Sequence, residues 1–178
     1  MTDNAYFEVD LPSEEETERF AHAFAQSARP RFVVFLNGDL GAGKTAWVRA
    51  CLRTWGWTGL VRSPTYTLHE TYDTAAVGLI HHLDLYRLST AEELAELGLA
   101  DVWSVPAVWF IEWPERGSGH LPPSDLILHW RHRAAGRQVR GTPMSAAGKK
   151  TCAAWMTVFQ QKGKTPTSHP IEKPNLSE

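Results

Sequence analysis

The sequence predicts one three-layer α/β domain with a mostly parallel central sheet and an antiparallel hairpin near its C-terminal end. Apolar segments of strand length alternate along the chain with amphipathic helical patterns. A glycine-rich loop joins the most apolar early segment to a helical pattern, as expected for strand-loop-helix units of a parallel sheet. The 178 residues are enough for one well-packed core and few for two. We predict a single domain over residues 1–161.

The chain begins with a predicted strand and an amphipathic helix. Residues 7–11 alternate in polarity, which indicates a short strand. Ser13 and the glutamates at 14–16 form a capping box, and apolar side chains then recur every three or four residues as far as Ala25. This helix should pack on the sheet, and Arg29-Pro30 should end it.

A phosphate-binding motif follows the next strand. Residues 31–37 are apolar and rich in β-formers, residues 38–45 match G-x-x-x-x-G-K-[ST], and a helical pattern runs through residues 46–54. Glycines let amide groups curl around phosphate oxygens, Lys44 reaches the β and γ phosphates, and the Thr45 hydroxyl holds Mg²⁺. We therefore predict a P-loop domain that binds a nucleoside triphosphate through Gly38, Leu40, Gly41, Ala42, Gly43, Lys44 and Thr45.

The remaining elements alternate between strands and helices. Residues 61–72 predict an extended segment, residues 79–85 and 105–111 predict buried strands, and Thr90 opens a second capping box for a short helix that ends at Gly98. Residues 125–130 and 138–141 predict a hairpin, and residues 146–161 predict a terminal helix. Residues 162–178 contain three prolines and few apolar side chains, so we predict a disordered tail.

The charge and composition argue against a basic nucleic-acid surface, a membrane span and a cysteine metal site. The formal net charge is -2, which gives no global basic footprint for nucleic acid, so RNA contact would have to be local or made by another protein. No run approaches the roughly 18 residues of a membrane span, and the N-terminal residues lack a secretion signal. The two cysteines match no metal spacing. We expect a cytoplasmic protein with no membrane partner.

Two acidic residues end predicted strands and are candidates for the metal site. Asp84 ends one apolar run and Glu112 ends another. Triphosphate sites use an acid at a strand tip to hold Mg²⁺ directly or through water, although either residue could be an ordinary charged strand end. Aspartate is the usual choice, so the use of Glu112 would be a departure. His81 and His82 lack a third ligand at zinc spacing, and we interpret them as a satisfied or exposed pair.

Other features leave alternatives open. Arginines and His132 concentrate between residues 116 and 140, where solvated strand faces are the default and a phosphate or RNA contact is the minority interpretation. The absence of an Asn-Lys-x-Asp string weakly favours ATP over GTP.

Four strings in order resemble the bacterial TsaE family, also called YjeE. They are the loop at 38–45, Ser-Pro-Thr-Tyr-Thr-Leu at 63–68, His-Leu-Asp-Leu-Tyr-Arg-Leu at 82–88 and Glu-Trp-Pro-Glu at 112–115. The resemblance implies a small ATPase needed for threonylcarbamoyladenosine synthesis at the tRNA adenosine beside the anticodon. It also implies work with the TsaB and TsaD proteins, which transfer the threonylcarbamoyl group made by TsaC, so that tRNA is met through the complex.

The resemblance also implies roles for individual residues. Lys44 would bind phosphates, Thr45 and Glu112 would contact Mg²⁺, and Asp84 would support the metal or position water. Trp113 would lie beside the nucleotide, and residues 63–67 would form a switch-like segment near the γ-phosphate. The family places the start of the first helix, here Ser13 and Thr17, and the late hairpin turn, here Gly136 and Arg137, close to the base.

Two rival functions share the loop and the fold. A small-molecule or nucleoside kinase would need an acceptor pocket and an arginine-rich lid, and we find no such lid segment. A nucleotide-gated binding module would hydrolyse ATP only incidentally. No arginine finger can be named, so we predict that turnover is weak in isolation and raised by partners.

Overall fold

A computed structural model describes residues 6–162 of the chain. Its strands are β1 (Phe7–Leu11), β2 (Phe32–Gly38), β3 (His69–Thr74), β4 (Gly78–Asp84), β5 (Val108–Glu112), β6 (Leu126–His132) and β7 (Arg137–Pro143). Its α-helices are α1 (Glu14–Ser27), α2 (Lys44–Thr54), α3 (Glu92–Glu96) and α4 (Ala146–Lys162), with 3₁₀ helices at Leu99–Val102 and Pro114–Gly117. No helix in this part of the chain is both long and apolar enough to cross a bilayer.

The strands form one sheet in the order β1-β7-β6-β2-β5-β4-β3. The four central strands, β6, β2, β5 and β4, pair in parallel, while β3 and the β1-β7 pair join antiparallel at opposite edges. The predicted α/β class is confirmed, and β6 and β7 form the predicted antiparallel hairpin. The loop at 38–45 leaves the carboxyl end of β2, where open α/β sheets bind ligands.

One face of the sheet carries the main core. Helices α1, α2 and α4 cover it, and they bury a cluster of large aromatic side chains that includes Phe24, Trp47 and Trp155. Ser13 caps α1 as predicted, because its side-chain oxygen accepts a hydrogen bond from the Glu16 amide at 3.2 Å. This packing fixes α2, and with it the phosphate loop, against the sheet.

The opposite face has a thinner layer. A second core of Leu83, Leu94, Trp109 and Ile111 lies between β4, β5 and the short helical segments that follow them. On the same face of β6 and β7, His129, Arg131 and Arg140 are exposed. The predicted third layer therefore covers only about half of the sheet.

Two local predictions were wrong. Thr90 does not cap α3, because that helix begins at Glu92 and its N-cap is Ala91, which has no side-chain oxygen. Residues 64–68 turn instead of continuing an extended segment, and β3 begins only at His69. The predicted tail, residues 162–178, lies outside the described residues except for Lys162 at the end of α4.

Candidate functional site

The loop after β2 has the backbone geometry of an anion cradle. Gly38, Gly41 and Gly43 have φ values of 135°, 75° and 107°, in the region that side chains with a Cβ disfavour. Gly43 is the N-cap of α2, and its carbonyl accepts the Trp47 amide at 3.0 Å. The loop therefore ends at the positive N-terminus of α2, a position that suits phosphate.

Lys44 is buried beside the loop, with 4% of its surface exposed. Its Nζ donates to the carbonyl oxygens of Gly38 at 2.5 Å and Asp39 at 2.9 Å, and it lies 4.5 Å from the ring centre of Trp113. Burial lowers the pKa of Lys44, and the nearby carboxylates of Glu112 and Asp84 oppose that shift. A phosphate group would supply the counter-charge that this ammonium group lacks at close range.

The two predicted acids meet at one edge of the sheet. Asp84 and Glu112 are register partners at the ends of the parallel strands β4 and β5, and both are buried, with 3% of their surface exposed. The Thr45 hydroxyl donates to Oε1 of Glu112 at 2.8 Å. The structure therefore brings the loop hydroxyl and both carboxylates into one cluster.

Asp84 holds the predicted switch-like segment. Its Oδ2 accepts hydrogen bonds from the hydroxyls of Ser63 at 3.1 Å and Thr65 at 2.7 Å, and its Oδ1 accepts the Tyr86 amide at 3.1 Å. These bonds tie residues 63–65 to the end of β4.

His82 is a site residue that the sequence interpretation missed. Its Nε2 lies 2.9 Å from Oε1 of Glu112, and the ring has no exposed surface. Its neighbour His81 points to the other face, where it stacks on Trp109 and bonds the ring of His69 at 2.8 Å. The missed signal was the two-residue spacing of His82 and Asp84, which puts them on one face of a strand.

Among the described residues, no group of three or more histidine, cysteine, aspartate or glutamate side chains is arranged to hold a metal ion.

A cavity of about 230 Å³ lies over the loop and the acids. It is lined by residues 40–46, which include the loop from Leu40 to Thr45 and Ala46 of α2, together with Ser63, Thr65, Asp84, Glu112 and Trp113. Trp113 has a φ of 58° and follows β5 directly. Ser63 and Thr65 were predicted as part of the switch-like segment, Ala46 was not predicted, and the other lining residues were predicted nucleotide or metal contacts.

The four residues predicted near the base fall into two groups. Thr17 and Arg137 line a cavity of about 640 Å³ between α1 and α2, and a Cβ added at Gly43 would lie 2.3 Å from Nη1 of Arg137. Ser13 instead caps α1, and Gly136 lies so close to Leu11 that an added Cβ would be 2.1 Å from its carbonyl oxygen. The positions of Ser13 and Gly136 are explained by folding, and base contact for all four stays a prediction.

A family model described as "Threonylcarbamoyl adenosine biosynthesis protein TsaE" matches residues 11–139. The chain belongs to the TsaE family. The matched range includes the loop, Asp84, Glu112 and His82, and it ends within β7.

Individual TsaE proteins support the same assignment. The tRNA threonylcarbamoyladenosine biosynthesis protein TsaE of Haemophilus influenzae is 37% identical over 150 residues, which cover 82% of this chain and 94% of that protein. The protein of the same name from Rickettsia bellii is 46% identical over 118 residues, covering 66% of this chain and 80% of the relative. The crystal structure of Bacillus subtilis YdiB superposes with a TM-score of 0.73 at 25% identity, covering 86% of this chain and 95% of that one.

The cluster of this TsaE-family chain has the donors that Mg²⁺ prefers. The Thr45 hydroxyl and the carboxylates of Glu112 and Asp84 are hard oxygen ligands beside a phosphate loop. They fit a small divalent cation that is shared with a nucleotide, and they do not fit a soft metal.

Proposed function

We propose that this chain is the ATP-binding and hydrolysing subunit required for threonylcarbamoylation of tRNA at the adenosine beside the anticodon, acting in the cytoplasm with TsaB and TsaD. The observation that carries the proposal is the convergence of Lys44, Thr45, Asp84 and Glu112 in one cavity of a TsaE-family chain. The names of the matched relatives support the role in tRNA modification, and the residues that line the cavity support the binding and hydrolysis of ATP.

Phosphate binding and charge neutralisation fall to the loop and its lysine. Loop amides and the N-terminus of α2 would bind the phosphate chain, and Lys44 would exchange its two carbonyl partners for phosphate oxygens. Arg137, which packs against Gly43, adds a second cationic group on the side of α1. Tight positioning and preorganised charge are the main sources of catalysis in phosphoryl transfer.

The acidic residues would divide the remaining tasks. Thr45 and Glu112 would hold Mg²⁺, which would neutralise negative charge on the phosphates when it is bound. Asp84 would orient the attacking water or support the metal, and its bonds to Ser63 and Thr65 would report the presence of the γ-phosphate to the switch-like segment. Hydrolysis would then reset the state of a partner protein.

Reconstitution of the modification tests this function. Purified TsaB, TsaC and TsaD, tRNA, ATP, threonine and bicarbonate are combined with the wild-type chain, with Lys44→Ala, with Glu112→Gln, or with no chain. We expect the yield of modified adenosine over many turnovers to depend on the wild-type chain and to fall roughly 100-fold or more in both variants.

Lys149→Ala is the matched control, because Lys149 is an exposed lysine on α4 far from the loop in sequence, and it should behave as wild type. Full modification with both site variants, while partner binding is intact, would reject the ATPase role. Labelled phosphate found on a metabolite instead of as free phosphate would favour a kinase. Equal ATPase rates with and without TsaB and TsaD would reject activation by partners.

A further inference from the structure

His82 is a buried polar residue next to the proposed metal site. It lies on β4 two residues before Asp84, its side chain shares the face that carries Glu112, and none of its surface is exposed. We propose that His82 is a positioning residue that holds the Glu112 carboxylate in the orientation needed for metal-linked nucleotide binding. This inference rests on the proposed function, since it concerns the same site.

The hydrogen bonds around Glu112 support this role. His82 Nε2 and Thr45 Oγ1 both bond to the same carboxylate oxygen, Oε1, at 2.9 Å and 2.8 Å. The last torsion of a glutamate has broad, roughly two-fold preferences, so the residue alone does not set the plane of its carboxylate. Two bonds to one oxygen set that plane. When a residue that hydrogen-bonds a metal-ligating side chain is removed, the metal affinity commonly falls by roughly 10- to 100-fold.

The two ring nitrogens of His82 differ in their hydrogen-bond partners. His82 Nδ1 is buried and has no hydrogen-bond partner among the described residues. Nε2 donates the bond to Glu112, because a carboxylate oxygen accepts. Among the described residues, the ring is therefore hydrogen-bonded to Glu112 alone.

The length of the side chain at position 82 distinguishes a positioning role from a packing role. Glutamine and asparagine are both amides, but only glutamine extends far enough to place its Nε2 near the site of the histidine Nε2. A residue needed only for polarity would tolerate both amides similarly, and a residue needed only for volume would change the stability of the fold and not the gain in affinity that Mg²⁺ causes. A residue needed to hold Oε1 would tolerate glutamine better.

Calorimetric binding of a non-hydrolysable ATP analogue to the full chain tests the proposal. For each variant, the gain in affinity caused by Mg²⁺ is the ratio of the Kd in EDTA to the Kd in Mg²⁺. We expect His82→Gln to keep this gain within about 3-fold of wild type, and His82→Asn and His82→Leu to lose about 10-fold of it while binding in EDTA is unchanged. In a Glu112→Gln background, His82→Leu should cause no further loss.

His81→Leu is the control, because His81 is an equally buried histidine on the same strand that faces away from Glu112. It should keep the wild-type gain, and thermal unfolding of every variant checks the fold. The proposal is overturned if His82→Asn matches His82→Gln, if His81→Leu loses as much as His82→Leu, or if all three His82 variants fail to fold while His81→Leu folds. A wild-type chain that binds no nucleotide contradicts the proposed function itself. Normal wild-type binding with an unaltered gain in His82→Leu contradicts the positioning role alone.

Discussion

Gly136 allows the turn between β6 and β7 to lie close to the segment before α1. Gly136 has a φ of 76° and sits against Leu11 and Pro12, at the start of the segment that leads into α1. Any side chain there would press on backbone atoms, which cannot swing away as the end of a flexible side chain can. The same turn is followed by Arg137, which packs on Gly43 of the phosphate loop. The local geometry at Gly136 therefore reaches the nucleotide site.

We predict that Gly136→Ala destabilises the chain more than Gly119→Ala does. Both glycines have positive φ, 76° and 86°, so both alanines carry the cost of a left-handed backbone, about 1–2 kcal/mol. Only at Gly136 does the new Cβ also meet backbone, 2.1 Å from the Leu11 oxygen, whereas nothing lies within 4 Å at Gly119. The extra loss should be roughly 1–3 kcal/mol in the free energy of unfolding from urea titration. Equal losses would mean that the turn has room to move.

Residue types alone were enough to predict most of the residues that line the cavity over the loop. Lys44 and Thr45 follow from the loop motif, and Asp84 and Glu112 follow from their places at the ends of apolar strands. The spacing of His82 from Asp84 places it on the same face of β4, but its bond to Glu112 depends on the register of β4 against β5, which no local pattern encodes. The packing of Arg137 on Gly43 likewise depends on where the hairpin lies.

At the scale of elements, the β6-β7 hairpin braces the phosphate loop. The Trp130 backbone lies against Gly38, His132 Nε2 donates to the Leu40 carbonyl at 3.3 Å, and Arg137 covers Gly43. The strand-loop-helix unit was predictable because its signals are local. The course of residues 64–68 was not, because the turn there is held by Asp84 from a strand that follows later in the chain.

We predict that Thr65→Val loosens the switch-like segment and Thr67→Val does not. Thr65 donates a 2.7 Å hydrogen bond to the buried carboxylate of Asp84, whereas Thr67 donates to Glu70 at an exposed position. Removing the first bond leaves a buried charged acceptor with one fewer donor, at a cost of about 1–3 kcal/mol. Hydrogen exchange of the amides at 65–68 should therefore accelerate roughly 5-fold or more in Thr65→Val.

Thr67→Val has the same change in shape and polarity two residues away, so it controls for general effects on the turn. Similar exchange rates in the two variants would show that Asp84 does not hold the segment. The ATPase rate measured in parallel would show whether loosening residues 63–65 also slows hydrolysis.

At the scale of the whole molecule, the two faces of the sheet are covered to different extents. One face carries three helices and a continuous aromatic core, and the other is covered only over β4 and β5. The buried histidine His81 lies on this second face, where it stacks on Trp109 at 3.7 Å between ring centres and bonds to His69. The pattern of polar and apolar residues could not predict which strands are covered on this face, because the coverage depends on the path that the connecting segments take over the sheet.

Acid should therefore weaken the fold through this histidine pair. Burial, and next the neighbouring His69, lower the pKa of His81 from 6.5 to about 4, and burial also lowers the pKa of His69, with Glu70 opposing that shift. Between pH 6.5 and pH 4 the unfolded chain binds a proton at residue 81 that the folded chain does not, so stability falls as the pH falls through this window. The size of the effect is roughly 3 kcal/mol from His81.

We predict that His81→Leu flattens the dependence of stability on pH. Urea unfolding at pH 4.5, 5.5, 6.5 and 7.5 should show a smaller loss of unfolding free energy on acidification in this variant than in wild type, because leucine binds no proton in either state. His120→Asn removes an exposed histidine and should leave the wild-type slope intact. A His81→Leu curve parallel to wild type would mean that the buried ring takes up its proton in the folded state as easily as in the unfolded one. The acid sensitivity would then belong to the carboxylates, and the stack of His81 on Trp109 would contribute to stability through contact alone.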